Sequence, residues 1–359
     1  MASLPTHDEC NFDDAGNGVW TLLLEAEKEA LTKSATSAKH CDPLLAIRIL
    51  GFLLKDLKEN GPRWGLELTP YNRIIDEVNS IEKEKMYDCL VGLGSMYRNH
   101  LFRVFRSNTG PMPTLFRHVS QRSFDDLTQG IIDHMAEASQ KKPNIRTQAL
   151  LRDGFQCVVS GVHDSNTWFS VAADKRPAGI MGATQVAHLF SESAQNRGPK
   201  EYSASVFAIL SMFGLEAQAK ALYGGAVNSL TNVITLEGYL HQLFDTYRLW
   251  LEPVEGCPHT YDVCCPEANG FQFQSGALPS RIVLSVNPSP KVQKARVSLS
   301  LPDPKLIAIR AICARVAHIS GAAEHENTIL RHLELIMVLA NHWSTAPLFT
   351  PLPKQSPVL

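Results

Sequence analysis

The sequence predicts an α+β protein, and three stretches of the chain carry that prediction. The first third repeats apolar residues at helical spacing. The stretch 228–250, NSLTNVITLEGYLHQLFDTYRLW, has the pattern of a turn, a short strand and a helix. The last hundred residues combine a strand pair with two helical segments. We therefore expect a helical N-terminal region, a central strand-and-helix domain with an insertion, and C-terminal strands followed by two helices.

The N-terminal region is predicted to be helical after a disordered lead at residues 1–18, which are polar and acidic. Residues 19–145 then form the helical region. Asp42-Pro43 has the cap-then-proline pattern of a helix start, and Gly61-Pro62 has the pattern of a helix end. Helices are predicted at 20–37, 43–59, 71–97 (with a break near Gly92 and Gly94) and 125–140.

The central region is predicted to alternate short strands with helices. Val233 to Leu236 are β-branched or apolar in succession, which suits a short buried strand. From Glu237 the spacing becomes helical and places Glu237, His241 and Asp245 near one another on one face. Upstream we expect a helix at 147–155, strands at 156–159, 168–172 and 184–190, and an insertion at 191–225.

An ordered set of motifs in this region resembles a known family. The set is RDGFQCVVSG at 152–161, AHL at 187–189, Asn232, and HQLFD at 241–245. It resembles the HNH nuclease domain found in many fungal proteins, over residues 146–253. The resemblance implies a ββα unit, two strands and a helix around one divalent metal ion.

The resemblance also implies roles for single residues. His188 would be the general base that activates water, and Asn232 would fix the loop that orients it. His241 completes the predicted catalytic set. Glu237 and Arg152 would support the site.

The predicted metal ligands are His241 and Asp245, one helical turn apart. Many HNH sites place a further ligand directly before the base, where this chain has Ala187. Two protein ligands suit Mg²⁺ or Mn²⁺ better than zinc. The absence of any metal stays open as the alternative.

Three functions are compatible with these residues. The first is a metal-dependent endonuclease acting on nucleic acid. The second is a repurposed scaffold in fungal secondary metabolism: an isomerase, cyclase or pericyclase, such as a Diels-Alderase, acting on a small apolar metabolite without metal. The third is a binding module without chemistry. The net charge of −2 means that any phosphate-binding patch would be local, which weighs toward the second function.

The C-terminal extension is predicted at 254–345, followed by a flexible, proline-rich tail at 346–359. Strands are expected at 271–275 and 281–285, after a loop containing Cys and His. Helices are expected at 303–318 and 324–343. No secretory signal or membrane-spanning run occurs, and the eight cysteines lack a disulfide spacing, so an intracellular protein without a membrane partner is expected.

Overall fold

The computed structural model describes residues 2–34, 41–106, 145–170, 173–191, 200–222, 227–266, 276–287, 299–325 and 328. The chain divides into two compact units, Met1–Ala323 and Glu324–Leu359. All contacts described below lie within the first unit.

The N-terminal region is helical, as predicted, with α1 at Asp14–Ser34, α2 at Cys41–Glu59, α3 at Thr69–Asn79 and α4 at Met86–Tyr97. A long helix was expected at 71–97 with a break near Gly92 and Gly94, and the predicted position of the break is wrong. The chain turns at 80–85, and α4 runs through both Gly92 and Gly94. Gly94 is needed for packing, because a Cβ there would lie 2.1 Å from the carbonyl oxygen of Ala46 on α2.

The first 18 residues differ from the disordered lead expected of them. Leu4 is buried, and its N–H donates to the carboxylate of Glu27 at 3.1 Å. Glu27 in turn pairs with Arg48 on α2 at 2.6 Å. A buried ion pair is stable only when its remaining hydrogen-bonding atoms also have partners. The N–H of Leu4 is such a partner for Glu27, so this hydrogen bond holds the N-terminal segment against the helices. A 3₁₀ helix at His7–Glu9 then leads into α1.

The central region contains two short parallel strands, an antiparallel pair of strands and several helices. The elements are α5 (Ile145–Arg152), β1 (His163–Asp164), α6 (Ser165–Ser170), β2 (Met181–Gly182), β3 (Thr184–His188), α7 (Lys200–Met212), α8 (Glu216–Ala221), β4 (Val233–Glu237) and α9 (Gly238–Asp245).

Two strand predictions in this region are wrong. The stretch 168–172 was expected to be a strand, but α6 occupies it through Ser170. The Asp164 carboxylate accepts from the N–H of Thr167 at 2.9 Å, which is the capping bond that starts a helix. At 156–159 there is a turn with an isolated bridge between Gln156 and His163 in place of a regular strand.

The predicted insertion supplies α7 and α8 and shares the main apolar core. Phe207 of α7 stacks on Phe190, which follows β3, with ring centroids 5.6 Å apart. Gln218 of α8 donates to Asp303 at 3.1 Å. These contacts place the described residues of the insertion beside the β3–β4 pair, and their buried apolar side chains belong to the main core.

The C-terminal part contains β5 (Trp250–Pro253), β6 (Thr260–Cys264), β7 (Arg281–Val283) and α10 (Pro304–Ser320). The three strands form one antiparallel sheet, so the expected Cys/His loop contributes a strand. Asp303 caps α10 by accepting from the N–H of Lys305 at 2.8 Å. The predictions at 125–140, 271–275, most of 324–343 and the tail lie outside the described residues. An α+β fold is confirmed.

Candidate functional site

The candidate site lies where β3, β4 and α9 meet. The two strands pair antiparallel, from Thr184 opposite Glu237 to His188 opposite Val233. The N–H of Gly238 donates to Ala183 at 3.0 Å, so the chain turns directly from β4 into α9. The helix therefore packs against β3, and this ββα arrangement brings distant parts of the sequence together.

His188 is the last residue of β3, and its ring is held by Asn228. His188 Nε2 lies 2.9 Å from Asn228 Oδ1. An amide oxygen only accepts hydrogen bonds, so the proton of a neutral His188 sits on Nε2. Nδ1 is then the nitrogen with a lone pair, able to take a proton from water.

Asn232 is fully buried and joins the two segments that flank His188 and Asn228. Its amide nitrogen donates to the carbonyls of Phe190 and Val227, both at 2.9 Å. Its amide oxygen accepts from the N–H of Phe190, also at 2.9 Å. This geometry fits the loop-fixing role that the sequence predicted.

His241 and Asp245 form a pair one turn apart on α9, each about one-fifth exposed at the side chain. His241 Nδ1 lies 2.7 Å from Gln185 Oε1 on β3, so Nδ1 carries the proton of the neutral ring. Nε2 then turns its lone pair toward Asp245, with Nε2 and Oδ2 3.3 Å apart.

Burial lowers the pKa of His241, and neighbouring charges adjust it. Asp245 raises this pKa, while Arg310 and His188 lower it. The neutral ring is therefore favoured near pH 7.

The His241–Asp245 pair fits a divalent cation. A lone pair facing a carboxylate is unfavourable unless a proton or a cation lies between them. Two ligands about 2.1 Å from one ion, at a right angle, are roughly 3 Å apart. The observed 3.3 Å is close to that separation. Among the described residues there is no group of three or more His, Cys, Asp or Glu that could hold a metal.

The two supporting residues, Glu237 and Arg152, each make hydrogen bonds that hold this unit together. Glu237 ends β4 and precedes the helix, so it does not share a helical face with His241, and its carboxylate accepts from the Ser160 hydroxyl at 3.1 Å. Arg152 is fully buried and donates to the carbonyl of Val233 at 2.8 Å. Arg152 also pairs with Asp153 at 2.6 Å.

Three side chains at this site were missed from the sequence: Gln185, Asn228 and Arg310. Gln185 and Asn228 are polar residues without a motif of their own, and only their closeness to His188 and Asn232 in sequence could have suggested them. Arg310 lies on α10, more than sixty residues after His241. No local pattern connects it to the site.

Comparison with known proteins supports an HNH-like domain in this part of the chain. A family model described as HNH endonuclease matches residues 157–252, a little over a quarter of the sequence. Domains of that family commonly use a divalent metal and act on nucleic acid. No curated protein and no solved structure matches the chain. Within the described residues, no helix is long and apolar enough to cross a membrane.

Proposed function

We propose that the protein is a divalent-metal-dependent nuclease that hydrolyses phosphodiester bonds at the β3–α9 corner. The observation that carries this proposal is the His241–Asp245 pair, with an imidazole lone pair facing a carboxylate at 3.3 Å. It lies within the segment that matches the HNH endonuclease model. Mg²⁺ and Mn²⁺ are the proposed ions, because two protein ligands leave most coordination positions to water and substrate oxygens.

In this proposal His188 is the general base. Its Nε2–H is fixed by Asn228, so Nδ1 accepts the proton of the attacking water. Asn232 keeps the segments carrying His188 and Asn228 in register through its three hydrogen bonds.

His241 and Asp245 would hold the metal. A bound divalent ion supplies Lewis-acid stabilisation of the charge that develops on the phosphate and on the leaving oxygen. Ala187, where HNH sites often carry a further ligand, contributes no donor. The phosphate of the substrate is therefore expected to fill part of the coordination sphere.

The proposal is tested with the full chain and with plasmid DNA and RNA in Mn²⁺ or Mg²⁺. His241→Ala should lose both cleavage and Mn²⁺ binding. His188→Ala should lose cleavage but keep Mn²⁺ binding, because a base is not a ligand. His7→Ala, which changes an exposed histidine of the N-terminal 3₁₀ helix, is the matched control and should keep both.

Nucleic-acid binding should also weaken steeply with salt, since phosphate contacts release counterions. A chain that neither binds Mn²⁺ nor cleaves DNA or RNA would refute the nuclease. That result would favour an HNH-like scaffold turned to a small apolar metabolite, or to binding alone.

A further inference from the structure

Arg310 reaches the site from α10, outside the segment that matches the HNH endonuclease model. Its side chain is buried and contacts two different elements of the ββα unit. Nη1 donates to the carbonyl of Leu189 at 3.1 Å, and Nη2 donates to the carbonyl of Phe244. Leu189 directly follows His188, and Phe244 directly precedes Asp245.

The guanidinium is also fixed by aromatic rings. Its central carbon lies 3.7 Å from the ring centroid of Phe244 and 5.5 Å from that of Tyr247. Burial lowers the pKa of Arg310 to about 10, which leaves the group charged at neutral pH. The Arg310 guanidinium, which stacks on Phe244 and donates two hydrogen bonds, therefore has little freedom to move.

Stability alone does not account for an arginine at this position. Its Nε has no hydrogen-bond partner among the described residues, and a buried donor left in that state destabilises a fold. A well-packed apolar side chain often stabilises such a position at least as well as a buried charge. An apolar side chain could not donate to the carbonyls of Leu189 and Phe244. These two hydrogen bonds are what the arginine adds at this position.

We propose that Arg310 is a positioning residue that locks the end of β3 against the last turn of α9. The lock sets the separation between His188 and the His241–Asp245 pair. Its catalytic consequence rests on the proposed nuclease function. The positioning of β3 against α9 does not rest on that function, because Arg310 makes its two hydrogen bonds whatever reaction the site performs.

Arginine is suited to this task in a way that lysine is not. Its planar fork presents several N–H groups in fixed directions and can bond two carbonyls at once. A lysine ammonium is a point charge on a flexible stem. Arg310→Lys therefore keeps the charge and loses the simultaneous hold on Leu189 and Phe244.

The test compares Arg310→Lys with Arg315→Lys in the full chain. Arg315 lies on the same helix, but it pairs with Glu252 of β5 at 2.7 Å and lies over Trp64. Two readouts are taken. One is kcat and KM for DNA at saturating Mn²⁺; the other is the ¹³Cε1 signals of His188 and His241 in the metal-free protein, assigned from the two alanine variants.

We expect Arg310→Lys to shift both histidine signals and to lower kcat by about tenfold or more. KM should change by no more than about twofold, because misplacement by a fraction of an ångström affects reaction more than binding. Arg315→Lys should lower the melting temperature without shifting either signal.

Unchanged signals of His188 and His241 in Arg310→Lys would overturn the proposal, as would a fall in kcat no larger than that of Arg315→Lys. If the wild-type chain cleaves nothing, the nuclease fails, yet the histidine signals still decide the positioning role. If Arg310→Lys does not fold, Arg310→Gln is measured in its place. Failure of both to fold would make Arg310 a folding requirement and end the proposal.

Discussion

In the proposed nuclease, Gln185 should control metal affinity although it is not one of the two proposed ligands. Its amide oxygen accepts from His241 Nδ1 at 2.7 Å, which keeps the Nε2 lone pair turned toward Asp245. In Gln185→Leu the ring would lose this partner, and it could rotate or place its proton on Nε2. A protonated Nε2 cannot bind a cation, so the variant must recover the correct tautomer before it binds.

The size of the effect follows from similar hydrogen bonds behind metal-binding histidines. Loss of such a partner typically weakens metal binding by about 10- to 100-fold. That range corresponds to roughly 1.4–2.7 kcal/mol of binding free energy. Gln185 is exposed, so the free energy of unfolding without metal should change by no more than about 0.5 kcal/mol.

The measurement is calorimetric titration of Mn²⁺ into the metal-free chain. Gln242→Leu, which changes an exposed glutamine beside His241, is the matched control and should bind as the wild type does. Gln185→Glu keeps an acceptor for the Nδ1 proton and should retain tight binding. Equal Mn²⁺ affinities in Gln185→Leu and wild type would refute the role of this hydrogen bond.

Three further results are expected. Asn228→Ala should lower kcat by roughly ten- to a hundredfold with little change in Mn²⁺ affinity, because it frees the ring of the base but touches no ligand; an equal loss of affinity would contradict this. The lowered pKa of His241 means that Mn²⁺ affinity should stay level as pH falls to about 6.5, the ordinary histidine value, and decline only below it; calorimetry across pH 5–8 checks this. Burial raises the pKa of Asp56 from 3.8 to about 6, so between those values the unfolded chain holds fewer protons than the folded chain, and the contribution of this carboxyl to stability should fall by about 3 kcal/mol as pH rises through that window. Urea unfolding at pH 4 and pH 8 should therefore show most of this loss as a difference between the wild type and Asp56→Asn, because the other titrating groups act in both, and an identical pH dependence in both would exclude Asp56 as its source.

The elements that the sequence predicted best are those whose signals are local. The strand before the helix and the start of that helix follow from a run of β-branched residues that changes to helical spacing. The helical pattern continues to Leu251, but the helix ends at Asp245 and Trp250–Pro253 form a strand. The failure at 168–172 has a local cause that alternation does not reveal. The Asp164 carboxylate caps the following turn, and this hydrogen bond outweighs the strand-like pattern of apolar residues.

The candidate site was predictable only in part for the same reason. His188 and His241 were recognised because each sits inside a short motif. The contact between Arg310 and Leu189 joins residues 121 positions apart, and no periodicity or spacing encodes such a pair. The tautomer of His241 likewise depends on a side chain of another strand, so its chemistry emerges only from the folded arrangement.

The C-terminal segment is part of the site's framework, as its contacts with the HNH-like region show. The N–H of Asp303, the cap of α10, donates to the carbonyl of Thr231 at 2.8 Å, next to Asn232. About two turns further along α10, Arg310 donates to the backbone carbonyls beside both proposed reactive groups. The start of β4, the end of β3 and the last turn of α9 are therefore all held by one helix. Residues 157–252 carry the motif, but the geometry that would make it reactive also depends on α10.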